Sequence, residues 1–71
     1  IDILIHSVAF SREITKPAKD TSRKGYLEAV GISAYSLTSL LRAAEPYMAG
    51  RDGASAVGLT YLGGDRVVPY Y

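Results

Sequence analysis

Two tyrosines, Tyr61 and Tyr71, stand ten positions apart near the end of the 71-residue chain, with Tyr70 beside the second. A phenol can donate its proton to a carbonyl or an enolate oxygen, and a nearby cation that lowers its pKa improves the donor. A second polar group, His6 and Ser7, interrupts a run of β-branched and aliphatic residues. In open parallel sheets, ligands bind beyond the carboxyl ends of the strands. If the apolar runs Ile1–Phe10 and Ala54–Leu62 are neighbouring strands, the ends His6–Phe10 and Thr60–Gly63 lie side by side. Spacing alone leaves Tyr61 and Tyr71 as packing aromatics, the commoner role at a strand end. His6 beside Ser7, with Asp2 near, invites a triad reading, but successive strand residues point to opposite faces. His6 is therefore read as structural. With no cysteine and one histidine, neither a disulfide nor a thiolate metal site can form, and no metal ligands are expected.

Such residues need elements to position them. Ile1–Phe10 is broken only by Asp2, His6 and Ser7, the pattern of a strand covered on both faces in a parallel sheet. Ser11–Asp20 is polar, mixed in charge and carries Pro17, so it reads as a loop. Asp20, Thr21 and Ser22 are all good N-cap residues. Beyond them Tyr26, Leu27, Val30, Ala34, Leu37, Leu40, Leu41, Ala44 and Met48 recur at helical spacing and predict one long helix with a broad core face. Gly25 and Gly31 weaken it by roughly 1 kcal/mol each against Ala, and also permit close approach of another helix. Pro46 is expected to end the helix or kink its last turn. Gly50–Gly53 is a turn, and Ala54–Leu62 a second buried strand.

The fold class is therefore α/β: one right-handed βαβ unit of a doubly wound parallel, Rossmann-like sheet, running strand, loop, long helix, strand. One helix covers only one face of a sheet, so this unit asks for more sheet than residues 1–71 contain. The chain is expected to be a partial domain, a fragment that begins without methionine. Its net charge of +1 is scattered, which argues against a nucleic-acid footprint. No apolar run approaches the ~20 residues needed to span a bilayer, so no membrane partner is expected. The first residues lack a charged n-region, so no signal peptide is expected there. Arg12, Lys16, Lys19, Arg23 and Lys24 make a loose basic stretch, most simply a solvated loop and helix start.

The segments IDILIHSVAF, DTSRKGYLEAVGISAYSLTSLLRAAEPYM and LTYLGGDRVVPYY resemble NADH-dependent enoyl-acyl-carrier-protein reductases of the short-chain dehydrogenase/reductase superfamily. His6 to Phe10 matches that family's strand-end phrase, and Tyr61 and Tyr71 match its two tyrosines. The family's lysine would fall past the end of this chain. The carbonyl-reducing sister group instead resembles Asn-Asn-Ala-Gly where this chain has His6-Ser7-Val8-Ala9, and carries a catalytic serine where this chain has Gly58.

The resemblance implies a parent enzyme of fatty-acid synthesis that reduces a trans-2-enoyl thioester, carried on acyl-carrier protein or coenzyme A, with NADH as hydride donor. Tyr71 would stabilise the enolate and Tyr61 would line the acyl pocket. Ser7, Val8 and Ala9 would lie along the cofactor, with Leu59 and Thr60 behind the nicotinamide. The resemblance further implies a homo-tetramer with this helix at a subunit interface, and a cytoplasmic or plastid location. No glycine-rich phosphate loop appears in the chain, and in the family it lies upstream. Two other readings stay open: a truncated, non-catalytic relic or interaction module that uses the helix, and a related short-chain reductase with another substrate.

Overall fold

The computed structural model describes residues 1–69, and within them the order is strand, loop, helix, turn, strand. Strand β1 is Ile3–His6 and strand β2 is Ser55–Gly58. They pair in parallel with Ile3 opposite Ser55, Leu4 opposite Ala56, Ile5 opposite Val57 and His6 opposite Gly58. Both strands are shorter than the apolar runs that contain them. Ser7–Phe10 and Leu59–Tyr61 leave the sheet, and Leu62–Gly64 turns into a short 3-10 helix.

The long helix has a seam. Helix α1, Arg23–Val30, passes through one π-helical turn, Gly31–Tyr35, into helix α2, Ser36–Met48. Ser22 is the N-cap, its hydroxyl accepting from the Gly25 N–H at 3.0 Å. Pro46 sits in the last turn of α2, where its missing N–H removes one i→i−4 bond, and the helix still runs two residues further, to Met48. Gly50 and Gly53, at φ of 80° and 77°, then take left-handed conformations that a side chain would strain, and turn the chain into β2. Arg51 in this turn pairs with Asp2 beside β1, its Nη2 donating to Oδ2 at 3.2 Å. That guanidinium also holds the Asp2 carboxyl below its ordinary pKa.

The expected loop is more structured than its composition suggests. Ala18–Asp20 is a 3-10 turn, and Glu13 folds back onto the start of α1. Three ion pairs, Arg12–Glu28, Lys16–Glu13 and Lys19–Asp20, hold much of the basic stretch in place.

Two expectations about burial are corrected. Strand β1 is covered on one face only, with Leu4 and His6 turned inward and Ile3 and Ile5 still 66% and 64% exposed, and every residue of β2 is exposed. The apolar stripe of the helix is also not one core face. Leu37, Ala44 and Met48 turn inward, but Tyr26, Leu27 and Val30 point outward, and the inward positions of α1 are Gly25, Glu28 and Ala29. The π turn adds a residue and rotates the register between the two halves, so a single 3.6-residue stripe cannot follow both. The radius of gyration, 15.3 Å, exceeds the roughly 11 Å of a compact chain of this length. The unit is a two-layer slab with one open side.

Candidate functional site

The parallel register brings the two strand ends together. His6 lies opposite Gly58, and one further bond, Leu59 N–H to the His6 carbonyl at 2.9 Å, keeps the chains in step as they leave the sheet. Beyond that bond Ser7, Val8 and Ala9 emerge from β1 beside Leu59, Thr60 and Tyr61 from β2. All six are exposed, Val8 at 47%, Leu59 at 61% and Tyr61 at 52%. The result is a ledge of backbone, three hydroxyls (Ser7, Thr60 and Tyr61) and three apolar side chains (Val8, Ala9 and Leu59). A shallow cleft of about 380 Å³, lined by Ala9, Phe10, Ser11, Ile14 and Ser33, opens beside it.

The ledge is held from beneath by the helix. His6 is 3% exposed, and its Nε2 lies 2.7 Å from the Ser36 hydroxyl. Ser36 spends its one proton on the Ile32 carbonyl at 2.6 Å, which can only accept. The imidazole must therefore donate, so Nε2 carries the proton. Ser33, in the π turn, grips Phe10 on both sides: its hydroxyl accepts from the Phe10 N–H at 3.0 Å and donates to the Phe10 carbonyl at 3.1 Å. The Arg12 guanidinium, paired with Glu28, lies 5.5 Å from the Phe10 ring centroid, a cation–π contact. At the other strand end, a Cβ on Gly58 would meet Leu37 Cδ2 at 3.2 Å, so the backbone there lies close under α2.

A second polar cluster sits at the helix start. The Glu13 carboxylate accepts from the Ser22 N–H at 2.9 Å, from the Ser22 hydroxyl and from Lys16 Nζ at 3.2 Å. The Ser22 hydroxyl, then its N–H, then Lys16 lower the Glu13 pKa from 4.5 to about 2. Through Ser22, whose hydroxyl caps Gly25, the Glu13 carboxylate holds the first turn of α1.

The site residues expected from sequence thus divide in two. Ser7, Val8, Ala9, Leu59, Thr60 and Tyr61 share one end of the sheet, whereas Tyr70 and Tyr71 lie outside the described residues. His6, read as structural, is a buried hydrogen-bonded group that does not face Ser7 as a base. Sequence reasoning passed over Ser33 and Ser36. Their only signal was a hydroxyl recurring three residues apart within a stretch otherwise read as apolar helix. Among the described residues no group of three or more His, Cys, Asp or Glu side chains is placed to hold a metal ion, and no helix is long and apolar enough to cross a membrane.

Residues 1–71 match, without interruption, the family described as enoyl-(acyl carrier protein) reductase. The chloroplastic NADH enoyl-acyl-carrier-protein reductase of Arabidopsis thaliana is 48% identical over 71 residues, which are all of this chain and 18% of that protein. The NADH enoyl-acyl-carrier-protein reductase FabI of Aquifex aeolicus is 45% identical, again over the whole chain and over 27% of its own length. Among solved structures, the Plasmodium berghei enoyl-acyl-carrier-protein reductase crystallised with triclosan superimposes with a TM-score of 0.87 at 46% identity, covering 97% of this chain and 24% of that one. The Aquifex aeolicus structure gives the same TM-score at 44% identity, covering 100% and 31%. The chain therefore spans about a fifth to a third of the length of these relatives.

Proposed function

This chain belongs to the enoyl-(acyl carrier protein) reductase family, and from that premise we propose that it is the central segment of a full-length, NADH-dependent reductase of enoyl thioesters in fatty-acid synthesis. One observation carries the reading. The register that sets His6 opposite Gly58 sends Ser7–Ala9 and Leu59–Tyr61 out of the same end of a parallel sheet, the end where such folds bind ligands.

The ledge fits the nicotinamide end of a dinucleotide: exposed backbone and small side chains at Ser7, Ala9 and Thr60 leave room for a flat ring, and Val8 and Leu59 offer it apolar cover. Phosphate binding falls to residues outside this chain, which has no glycine-rich phosphate loop. NADH, when bound, supplies a hydride to the β-carbon of a trans-2-enoyl thioester. Tyr71 donates a hydrogen bond to the thioester oxygen, on which enolate charge develops, and such a donor acts most strongly where charge appears only in the transition state. Tyr61 flanks the acyl chain at the thioester. The substrate is an enoyl group on acyl-carrier protein or coenzyme A. The family's lysine, downstream of Tyr71, supplies the cation that makes a tyrosine the better donor.

Assembly and location follow the same reading. The outward face of α1, with Tyr26 and Leu27 at 63% and 60% exposure, is suited to an interface in a homo-tetramer. The protein works in a bacterial cytoplasm or a plastid stroma. The same face favours one other reading, a non-catalytic module that associates through the helix.

The two readings part on one experiment with the full-length protein. Oxidation of NADH by a crotonyl thioester is followed with Tyr71 intact and with Tyr71→Phe. The reductase reading expects turnover by the first and a kcat roughly 10²–10³-fold lower for the second, as for loss of one oxyanion donor. Absence of turnover by the unsubstituted protein leaves the association module standing.

A further inference from the structure

The segment that carries Ser7, Val8 and Ala9 is suspended between two anchors, and both lie on the same seam of the helix. At its start the buried His6 side chain donates from Nε2 to Ser36, the first residue of α2. At its end the Phe10 backbone is gripped by Ser33, in the π turn. Ser36 is itself locked, because its proton goes to Ile32, also in the π turn. One extra residue in the helix thus presents two hydroxyls to the strand-end loop. An unbroken α-helix would also bring residues three apart near one face, but the π turn widens the backbone there and sets them at the two ends of the suspended segment. The His6 carbonyl meanwhile receives the Leu59 N–H, so the same residue ties the ledge's two halves together.

We propose that His6, Ser33 and Ser36 are positioning residues that set the height and spacing of the Ser7–Ala9 segment, and through it the affinity of the nicotinamide end of NADH. The assignment rests on the reductase reading for its ligand, but its geometry stands without it. None of the three touches the reacting atoms. Their effect passes through a backbone whose placement has few other constraints: Ser7, Val8 and Ala9 are exposed, and no other hydrogen bond from the helix reaches them. Nε2 donation is the specific link. Glutamine at position 6 can bring an amide N–H near the place of Nε2, whereas leucine fills the space and leaves the Ser36 oxygen without its donor.

The test uses the full-length protein and the variants His6→Gln, His6→Leu, Ser36→Ala and Ser33→Ala. Steady-state NADH oxidation gives KM for NADH separately from kcat, and amide exchange reports the Phe10 N–H. His6→Leu and Ser33→Ala are expected to raise KM for NADH roughly tenfold, the first by leaving the Ser36 oxygen without its donor and the second by removing both hydrogen bonds to the Phe10 backbone, and to raise it more than they lower kcat. His6→Gln is expected to recover most of that loss. A fall in kcat with KM unchanged, shared equally by His6→Gln and His6→Leu, would mean only fewer folded molecules and would overturn the proposal. If His6→Leu does not fold, Ser33→Ala decides, because its hydroxyl is near the surface and its loss leaves no cavity. Should the unsubstituted protein fail to oxidise NADH, the reductase reading falls, and Phe10 exchange still judges the anchors. Faster exchange in Ser33→Ala and Ser36→Ala supports them, and unchanged exchange removes them.

Discussion

The two halves of the helix dock by different means. Helix α2 packs as a globular helix does: Leu37, Ala44 and Met48 turn toward the sheet, Ala44 is 7% exposed, and Leu37 approaches the backbone at Gly58. Helix α1 docks through polar and small residues. Gly25 is buried beneath the Glu13 carboxylate, Ser22 closes the first turn, Glu28 pairs with Arg12, and the large apolar residues Tyr26 and Leu27 face outward. Apolar periodicity therefore located the helix and misassigned half of its faces. At the start of α1 the contacts to the rest of the chain are a carboxylate and a hydroxyl, and the register change at the π turn leaves the apolar side chains of this half facing outward.

That contrast can be broken from either side in the full-length protein. The largest effect is expected at Leu37→Ala, which removes apolar contact from α2. Leu37 is half-buried, so the cost should lie near the low end for such truncations, about 2 kcal/mol in a denaturant midpoint. Ser22→Ala attacks α1 instead and should cost about 1 kcal/mol, with faster amide exchange confined to the first turn of α1. A Ser22→Ala change that loosened α2 equally would show that the two halves are one unit.

Acid separates them next. The Glu13 pKa is lowered to about 2 in the folded chain, from 4.5. A group with a depressed folded pKa stabilises above its unfolded value and loses that contribution as pH falls through the folded one. The α1 cap should thus be intact above pH 4.5 and weaken between there and about pH 2, read by exchange at Gly25 and Tyr26. Glu13→Gln should remove this pH dependence and leave α2 unaltered. The smallest effect is expected at Gly58→Ala. The new methyl crowds Leu37, but alanine also restricts the unfolded chain, so the net change should stay within about 0.5 kcal/mol. In a Leu37→Ala background the same change should become stabilising, and a double-mutant cycle measures the coupling.

Much of the fold is legible from residue patterns. The two apolar runs, the turn at Gly50–Gly53 and the parallel strand pair all follow from local chemistry, and the strand ends that form the ledge follow from the pairing; the N-cap was legible only as one of Asp20, Thr21 and Ser22, of which the structure uses Ser22. The strand lengths do not, because apolar residues continue past the end of the paired strands into Val8, Phe10 and Leu59, where their exposure shows that they cover nothing within this chain. The π turn was equally hidden. It coincides with the contacts of His6 to Ser36 and Phe10 to Ser33, 30 and 23 residues apart in sequence, and no helix-propensity scale carries that information.

What the sequence by itself determined was the kind of unit and its family: hydrophobic spacing sets strand and helix, glycine sets the turns, and the quoted phrases match one reductase family throughout. What only the tertiary structure decided was which atoms hold which. The tautomer of His6, the double grip of Ser33 on Phe10 and the cap of Glu13 over Gly25 all depend on side chains distant in sequence arriving within hydrogen-bond reach. Periodicity is a property of neighbours along the chain. Donor and acceptor pairing is a property of neighbours in space, and the one buried imidazole acquires its role only when the helix comes down upon it.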